Sequence, residues 1–260
     1  MKLGISYNVF DGEELLEGSI NQIRELVDYI TVVYQTTSNL GEQSSEDLIL
    51  TLEDLKLKKL VDDIILYVPT FSSPHIDETK KRQIGLDYSK KNGCSHHMSM
   101  DTDEYYEKNE FKYLKKIITE GDYDSSYCQM LTYYKTWEYR LEPPEEYYVP
   151  LIYKINEGTQ FKYNGSSPVL VDPTRKISNL NNPIVLKREQ IQMHHGSYIR
   201  KDIRKKLKNS SASINFKNDI DKIVEHYNNW QFPEKVLWGG RPSQFLKVLK
   251  VENLFQHKQL

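Results

Sequence analysis

The chain has 260 residues and is 38% hydrophobic, enough to bury one large α/β core with elaborations. Its 35 basic and 37 acidic residues leave a formal net charge of -2, which excludes a general electrostatic attraction to nucleic acid or an anionic membrane and makes any anion site a local one. The two cysteines, Cys94 and Cys128, exclude a disulfide framework, and with no signal-like start and no run of roughly 20 apolar residues the chain reads as soluble and cytoplasmic.

Lys2 to Asn8 reads as a strand, followed by Asp11-Gly12 as a turn and by Leu16, Ile20, Ile23 and Val27 at helical spacing. Tyr29 to Thr36, rich in β-branched residues, predicts a second strand, Glu46 to Leu60 a helix and Asp63 to Pro69 a third strand. Asp77 to Lys91 is a charged helix that stops at Asn92-Gly93, and Cys94 to Met100 is a fourth strand. Strands alternating with helices in this way predict parallel pairing, with ligands bound beyond the carboxyl ends of the strands.

Further on, Glu104 to Thr119 predicts a helix, while Tyr127 to Tyr134, Tyr147 to Asn156, Pro168 to Val171 and Gln190 to Met193 predict strands that extend the sheet. Tyr198 to Lys208, Asp219 to Asn229 and Pro242 to Leu249 carry helical patterns. The expected organisation is one catalytic domain over residues 1–197, with a nucleotide-binding half (1–105) and an acceptor-side half (106–197), and a helical extension (198–260) packed on it.

Three Asp-x-Asp pairs occur, and their settings differ. Asp122-Tyr123-Asp124 follows Gly121 in a helix-exit loop, and Asp219-Ile220-Asp221 falls in the first turn of a helix, where acidic residues complement the dipole. Asp101-Thr102-Asp103 alone sits where an apolar strand ends, a place from which two carboxylates can hold a divalent ion against a diphosphate.

Four βα units leading into Met100-Asp101-Thr102-Asp103-Glu104 resemble the nucleotide-binding half of a GT-A glycosyltransferase, similar to family 2 enzymes. The resemblance implies a Rossmann-like α/β fold with a mostly parallel central sheet flanked by helices. It also implies Mn²⁺ or Mg²⁺ held by the Asp-x-Asp pair, with Asp103 as direct ligand and Asp101 as the ribose or water-mediated partner; a bound dication stabilises the charge on a departing nucleoside diphosphate. The segment Met193-His194-His195-Gly196-Ser197-Tyr198 is similar to the His-x-Ser-aromatic segment of family 17 N-acetylglucosaminyltransferases, which makes His195 the first choice for a further metal ligand and His194 the second.

By the same resemblance Ser6, Tyr7, Asn8 and Val9 fall under the nucleotide, and Gln35 stands where family 2 often has an acidic residue at the base. Thr102 lies between the two carboxylates, and Arg82 and Arg200 or Lys201 are expected to reach the diphosphate, with Lys80 and Lys81 on a solvated helix face. Inversion, inherited from the resemblance, requires a general base near the acceptor, for which Asp124, Glu138, Glu145, Glu146 and Asp172 are the candidates and spacing does not choose. His96 and His97 alternate across a strand and read as strand fillers, Trp137, Trp230 and Trp238 as core or rim aromatics, and Arg241 as a residue that could close over the donor.

The function expected is transfer of a sugar from a nucleotide diphosphate donor, with UDP favoured, to a hydroxyl of a glycan or related acceptor. A sugar nucleotidyltransferase needs a glycine-rich loop after the first strand, and Tyr7-Asn8-Val9-Phe10-Asp11-Gly12 has a single glycine. The alternative from another class is a non-catalytic module binding a glycan or nucleic acid through tyrosines and the basic run Arg200 to Lys208.

Overall fold

In the computed structural model, which describes residues 1–211, 213, 216–239 and 244–255, strand β1 (Leu3–Val9) is buried along its whole length because helices cover both faces of the sheet. Leu3, Ile5, Tyr7 and Val9 enter the main core, where they meet Leu16, Ile20 and Ile23 of α1 (Glu13–Ile23). The chain continues through β2 (Tyr29–Tyr34), α2 (Asp47–Leu57), β3 (Asp63–Leu66), α3 (Pro74–Lys91) and β4 (His96–Asp101). These four strands pair in parallel in the order β4-β1-β2-β3, with Asn8 opposite both Val33 and Asp101.

The opposite face of β1 presents Gly4, Ser6 and Asn8. A Cβ on Gly85 of α3 would lie 2.2 Å from the Ser6 Cβ, so small residues at both positions let the helix rest directly on the strand. His97 is sealed between the two layers, with Nδ1 2.9 Å from Ser89 Oγ and Nε2 3.5 Å from Ser6 Oγ.

The second half begins with β5 (Glu104–Tyr105) and α4 (Lys108–Gly121) and is organised by β6 (Ser125–Tyr134), the longest strand. Then come β7 (Thr136–Glu142), β8 (Tyr148–Lys154), β9 (Pro183–Val185), β10 (Met193–Tyr198), α5 (Ile203–Asn209), α6 (Ile220–Asn229), β11 (Val236–Leu237) and β12 (Phe245–Lys250). β8 inserts antiparallel between β4 and β6, giving the path β11-β12-β7-β6-β8-β4-β1-β2-β3. β10 lies parallel to the carboxyl half of β6 and antiparallel to β5.

Four expectations are corrected here. Glu104 and Tyr105 do not start a helix, because they pair with His195 and His194 across a long-range ladder. Pro168 to Val171 is loop, touching the sheet through the Tyr148 N–H to Leu170 carbonyl bond. The strand expected at Gln190 to Met193 starts at Met193 and runs to Tyr198, which delays the helix expected at Tyr198 until Ile203. In place of a helix over Pro242 to Leu249, Phe245–Lys250 is a strand paired with β7, Leu246 and Val248 facing inward at period two; Pro242 itself lies outside the described residues. The segment after residue 197 is therefore not wholly helical, and its two strands join the sheet edge while α5 and α6 share a core with Tyr134, Leu141 and Tyr198. Among the described residues, no helix is long and apolar enough to cross a membrane.

Burial, reinforced by Lys90 and Arg82, pushes the pKa of His97 down to about 3. Imidazole in the unfolded chain titrates near ~6.5, so between these values the unfolded state binds a proton that the folded state refuses, and stability falls as pH drops through that window. His97→Gln is expected to flatten the pH dependence of urea-unfolding free energy between pH 6 and 4 by up to about 1.4 kcal/mol per pH unit relative to the parent. Equal slopes for the two proteins would contradict this.

Candidate functional site

The carboxyl ends of β1, β2 and β4 open into a cavity of about 880 Å³, closed on the far side by the loop before β8, by β10 and by α5. Asp101 ends β4 opposite Asn8, and its two oxygens each lie 3.3 Å from Arg82 Nη2, with Oδ2 also 2.6 Å from Arg175 Nη2. Burial opposes its charge, but the two guanidinium groups overcome that and hold the carboxyl well below the usual carboxylate range.

Both arginines are fixed from behind. Arg82 donates to Ser99 Oγ (2.9 Å), Glu78 Oε1 (2.6 Å) and Thr174 Oγ1 (3.3 Å). Arg175 sits at the end of a short 3-10 turn (Pro173–Arg175) capped by the Asp172 carboxylate, and it also donates to Glu104.

Asp103, 2% exposed, takes a separate set of partners. Arg200 donates to its Oδ2, Lys206 Nζ lies 3.2 Å away and His195 Nε2 3.6 Å away. Burial again opposes ionisation, and Lys206, Arg200 and His195 together hold the carboxyl well below its ordinary value, while Asp103 raises His195 against the effect of burial. Backbone geometry sets the approach: the Gly196 N–H donates to the Asp103 carbonyl at 2.7 Å, which seats β10 beside the strand exit. Gly12, with φ of 74°, lies so near that a Cβ would be 2.6 Å from Thr102 Oγ1 and 3.0 Å from the Arg200 guanidinium carbon.

The donor set fits a divalent ion. A carboxylate oxygen and an imidazole nitrogen 3.6 Å apart have the separation expected of two ligands that each bond one ion at roughly 2.0–2.2 Å. Eight acidic residues line the cavity (Asp11, Glu78, Asp101, Asp103, Glu104, Glu145, Glu146, Asp172) beside four permanent cations (Lys81, Arg175, Arg200, Lys206), and Arg82 pairs with Glu78 and Asp101 from behind. Asp101 is engaged by two arginines, and Asp103 and His195 could share an ion only where Arg200 and Lys206 release Asp103 Oδ2.

At the floor of the cavity Asn8 is 7% exposed with neither amide atom hydrogen-bonded, and Gln35 Oε1 is likewise buried without a partner while its Nε2 donates to Asn39 Oδ1 at 3.1 Å. Buried amides left unpaired in this way suit a ligand that supplies the missing partners.

Thus Asn8, Gln35, Asp101, Thr102, Asp103, His195 and Arg200 all line the cavity. Ser6 and Tyr7 do not: both are fully buried, Ser6 under Gly85 and Tyr7 in the core with its hydroxyl on Ser19. Arg82 points to the sheet rather than the cavity, and the neighbouring Lys81, one residue around the helix and 5% exposed, takes the cavity position instead. Lys80 is exposed and pairs with Thr70. His194 is turned away from the cavity, on the face of β10 opposite to His195.

Of the base candidates, Asp172 lines the cavity, whereas Asp124 is occupied by the N–H groups of Asn181 and Asn182, and Glu138 lies on β7 away from it. Glu145 and Glu146 are on the wall. Trp137 packs with Tyr105, Tyr133 and Phe255, Trp230 lies in the second core, and Trp238 reaches the cavity. In the basic run Arg200 to Lys208, Arg200 and Lys206 face Asp103 and Arg204 pairs with Asp221, while Lys201 and Lys208 are exposed. Arg241 lies outside the described residues. Arg175 and Lys206 carried no sequence signal of their own; their partners are 74 and 103 residues away.

No protein-family model matches the chain, and no curated protein matches it in sequence. Among solved structures, S. aureus TarS 1-349 in complex with UDP-GlcNAc aligns with 88% of this chain and 72% of its own, at 13% identity and a TM-score of 0.50. The same fragment in complex with UDP aligns at 12% identity, 88% and 71% coverage and a TM-score of 0.49. A longer S. aureus TarS structure aligns at 14% identity and 0.48, and this chain spans 43% of its length.

Removing one partner of a buried ion pair leaves the other uncompensated, at a cost of about 3–5 kcal/mol. Arg175→Gln is expected to lose stability on that scale in urea unfolding, whereas Lys80→Gln on the exposed turn of the same region stays within about 1 kcal/mol of the parent. The α/β architecture of the chain is that of the GT-A fold, shared with TarS: parallel strands β4-β1-β2-β3 flanked by helices and extended by antiparallel strands.

Proposed function

We propose that this protein transfers a glycosyl group from a UDP-linked sugar to a hydroxyl of a glycan or related acceptor, with Mn²⁺ or Mg²⁺ bound at Asp103 and His195. The observation that carries the reading is the convergence of these two residues, 3.6 Å apart, from opposite halves of the chain onto the carboxyl edge of a parallel sheet. TarS, which shares the fold, is known in complex with UDP and with UDP-GlcNAc.

In this reading Asn8 and Gln35 meet the uracil and ribose with their unpaired amide atoms. Asp101, held by Arg82 and Arg175, would orient the ribose directly or through a water. The dication supplies Lewis-acid stabilisation of the charge that builds on the leaving diphosphate. Arg200 and Lys206, which pair with Asp103, are placed to donate to the phosphate oxygens, and Lys81 adds a cation from α3. The acceptor hydroxyl gives up its proton to a carboxylate of the opposite wall, formed by Asp172, Glu145 and Glu146.

Isothermal titration with UDP is expected to show binding that requires Mn²⁺ or Mg²⁺, and to weaken at least about tenfold in Asp103→Asn and in His195→Ala, as loss of a metal ligand does. Metal-independent UDP binding of equal strength in all three proteins would sink the assignment. Once an acceptor is identified, the Asp172→Asn, Glu145→Gln and Glu146→Gln series is expected to contain one variant with turnover reduced roughly 10²–10⁴-fold and unaltered UDP binding, which marks the base.

A further inference from the structure

β10 carries two adjacent imidazoles to opposite sides, and the one the cavity does not use faces a second set of ligand-type atoms. A nitrogen of His194 and carboxylate oxygens of Glu107 and Glu110 all lie within 4.8 Å of one another. We propose that these three residues form a second metal site, separate from the cavity, for a divalent transition ion of the zinc class.

The imidazole is built for ligation. His194 is 3% exposed, its Nδ1 is 2.8 Å from the Tyr133 hydroxyl, and its Nε2 has no hydrogen-bond partner. With Nδ1–H donating to Tyr133 Oη, Nε2 presents a lone pair, and such an outer hydrogen bond is the usual way a metal-binding imidazole is fixed in tautomer and direction. The ring is held in place by Tyr133, stacked at 5.7 Å, and by Phe255, edge-on at 4.9 Å. A buried nitrogen left unpaired costs free energy that a ligand recovers.

The carboxylates are placed to complete the set. Glu107 precedes the first residue of α4 and Glu110 is in its first turn, a spacing of three that puts both on one side of the helix start. Glu110 Oε2 accepts the Gln192 N–H at 3.1 Å, which ties it to the start of β10 and leaves Oε1 for the ion. Both glutamates are half-buried, so the ion has a route from solvent and the side chains have the freedom to contract from the present spacing to bonds of roughly 2.0–2.2 Å, with water as the fourth ligand. One imidazole and two carboxylates match zinc better than calcium or magnesium, which favour all-oxygen shells. The ion would clamp the start of α4 to β10, the strand that carries His195.

The test uses the full chain in a His195→Gln background, which removes one of the two proposed cavity ligands while Arg200 and Lys206 still compensate Asp103, and so separates this proposal from the functional reading. After dialysis against chelator, Zn²⁺ titration of this protein is expected to give one bound equivalent and a raised Tm. Adding Glu107→Gln and Glu110→Gln is expected to weaken Zn²⁺ binding at least about tenfold and to abolish the Tm increase. Because both glutamates sit near the surface, these substitutions leave the core intact, and circular dichroism checks that they do. No bound equivalent in the His195→Gln protein, or equal Zn²⁺ affinity with and without the two glutamates, would overturn the proposal.

Discussion

A single buried carboxylate organises this molecule. Asp103 emerges from the parallel half of the sheet, and the groups that neutralise it, Arg200, Lys206 and His195, all come from β10 and the segment after it, on the far side of the chain. A charge at 2% exposure is intolerable alone, so the two halves must close on each other before the carboxylate can be buried. The Gly196 N–H bond to the Asp103 carbonyl makes the same closure through the backbone. The cavity is the space left between the halves when these contacts are satisfied.

The two aspartates of the strand exit are held differently, and the difference assigns their work. Asp101 is clamped by two arginines that are themselves anchored on α3 and on the Asp172-capped turn, so its oxygens have fixed directions before any ligand arrives. Asp103 is shared among Arg200, His195 and Lys206, the last with a quarter of its side chain exposed. Groups prepared in place cost no reorganisation when charge develops beside them, whereas partners that can swing away leave room for a cation to take their position.

Much of the first half was legible because its signals are local. Alternation of strand and helix patterns, Gly12 and Asn92-Gly93 at the turns, and the position of Asp101 and Asp103 at a strand exit all follow from neighbouring residues. The helix face was harder to read: Lys81 and Arg82 differ by one step around α3, and only the packing of Gly85 on Ser6 decides which points to the cavity. β10 resisted because Met193-His194-His195-Gly196-Ser197-Tyr198 has no aliphatic alternation; it is a strand because β5 and β6 supply partners for its backbone. Arg175 was invisible, since its partner Asp101 is 74 residues distant. β12 shows the opposite failure, for Phe245–Lys250 alternates at period two, a strand signature overshadowed by the proline and helix-forming residues around it.

The back-to-back imidazoles of β10 have an evolutionary corollary. Side chains on a strand alternate with a period of two, so deleting or inserting one residue upstream within β10 would exchange the places of His194 and His195 and carry each to the other's side. Point substitutions at Met193 or Ser197 alter packing by degrees, whereas a change in chain length here misdirects both rings at once. Descendants of this gene should therefore keep the residue count between Gln192 and Arg200 constant.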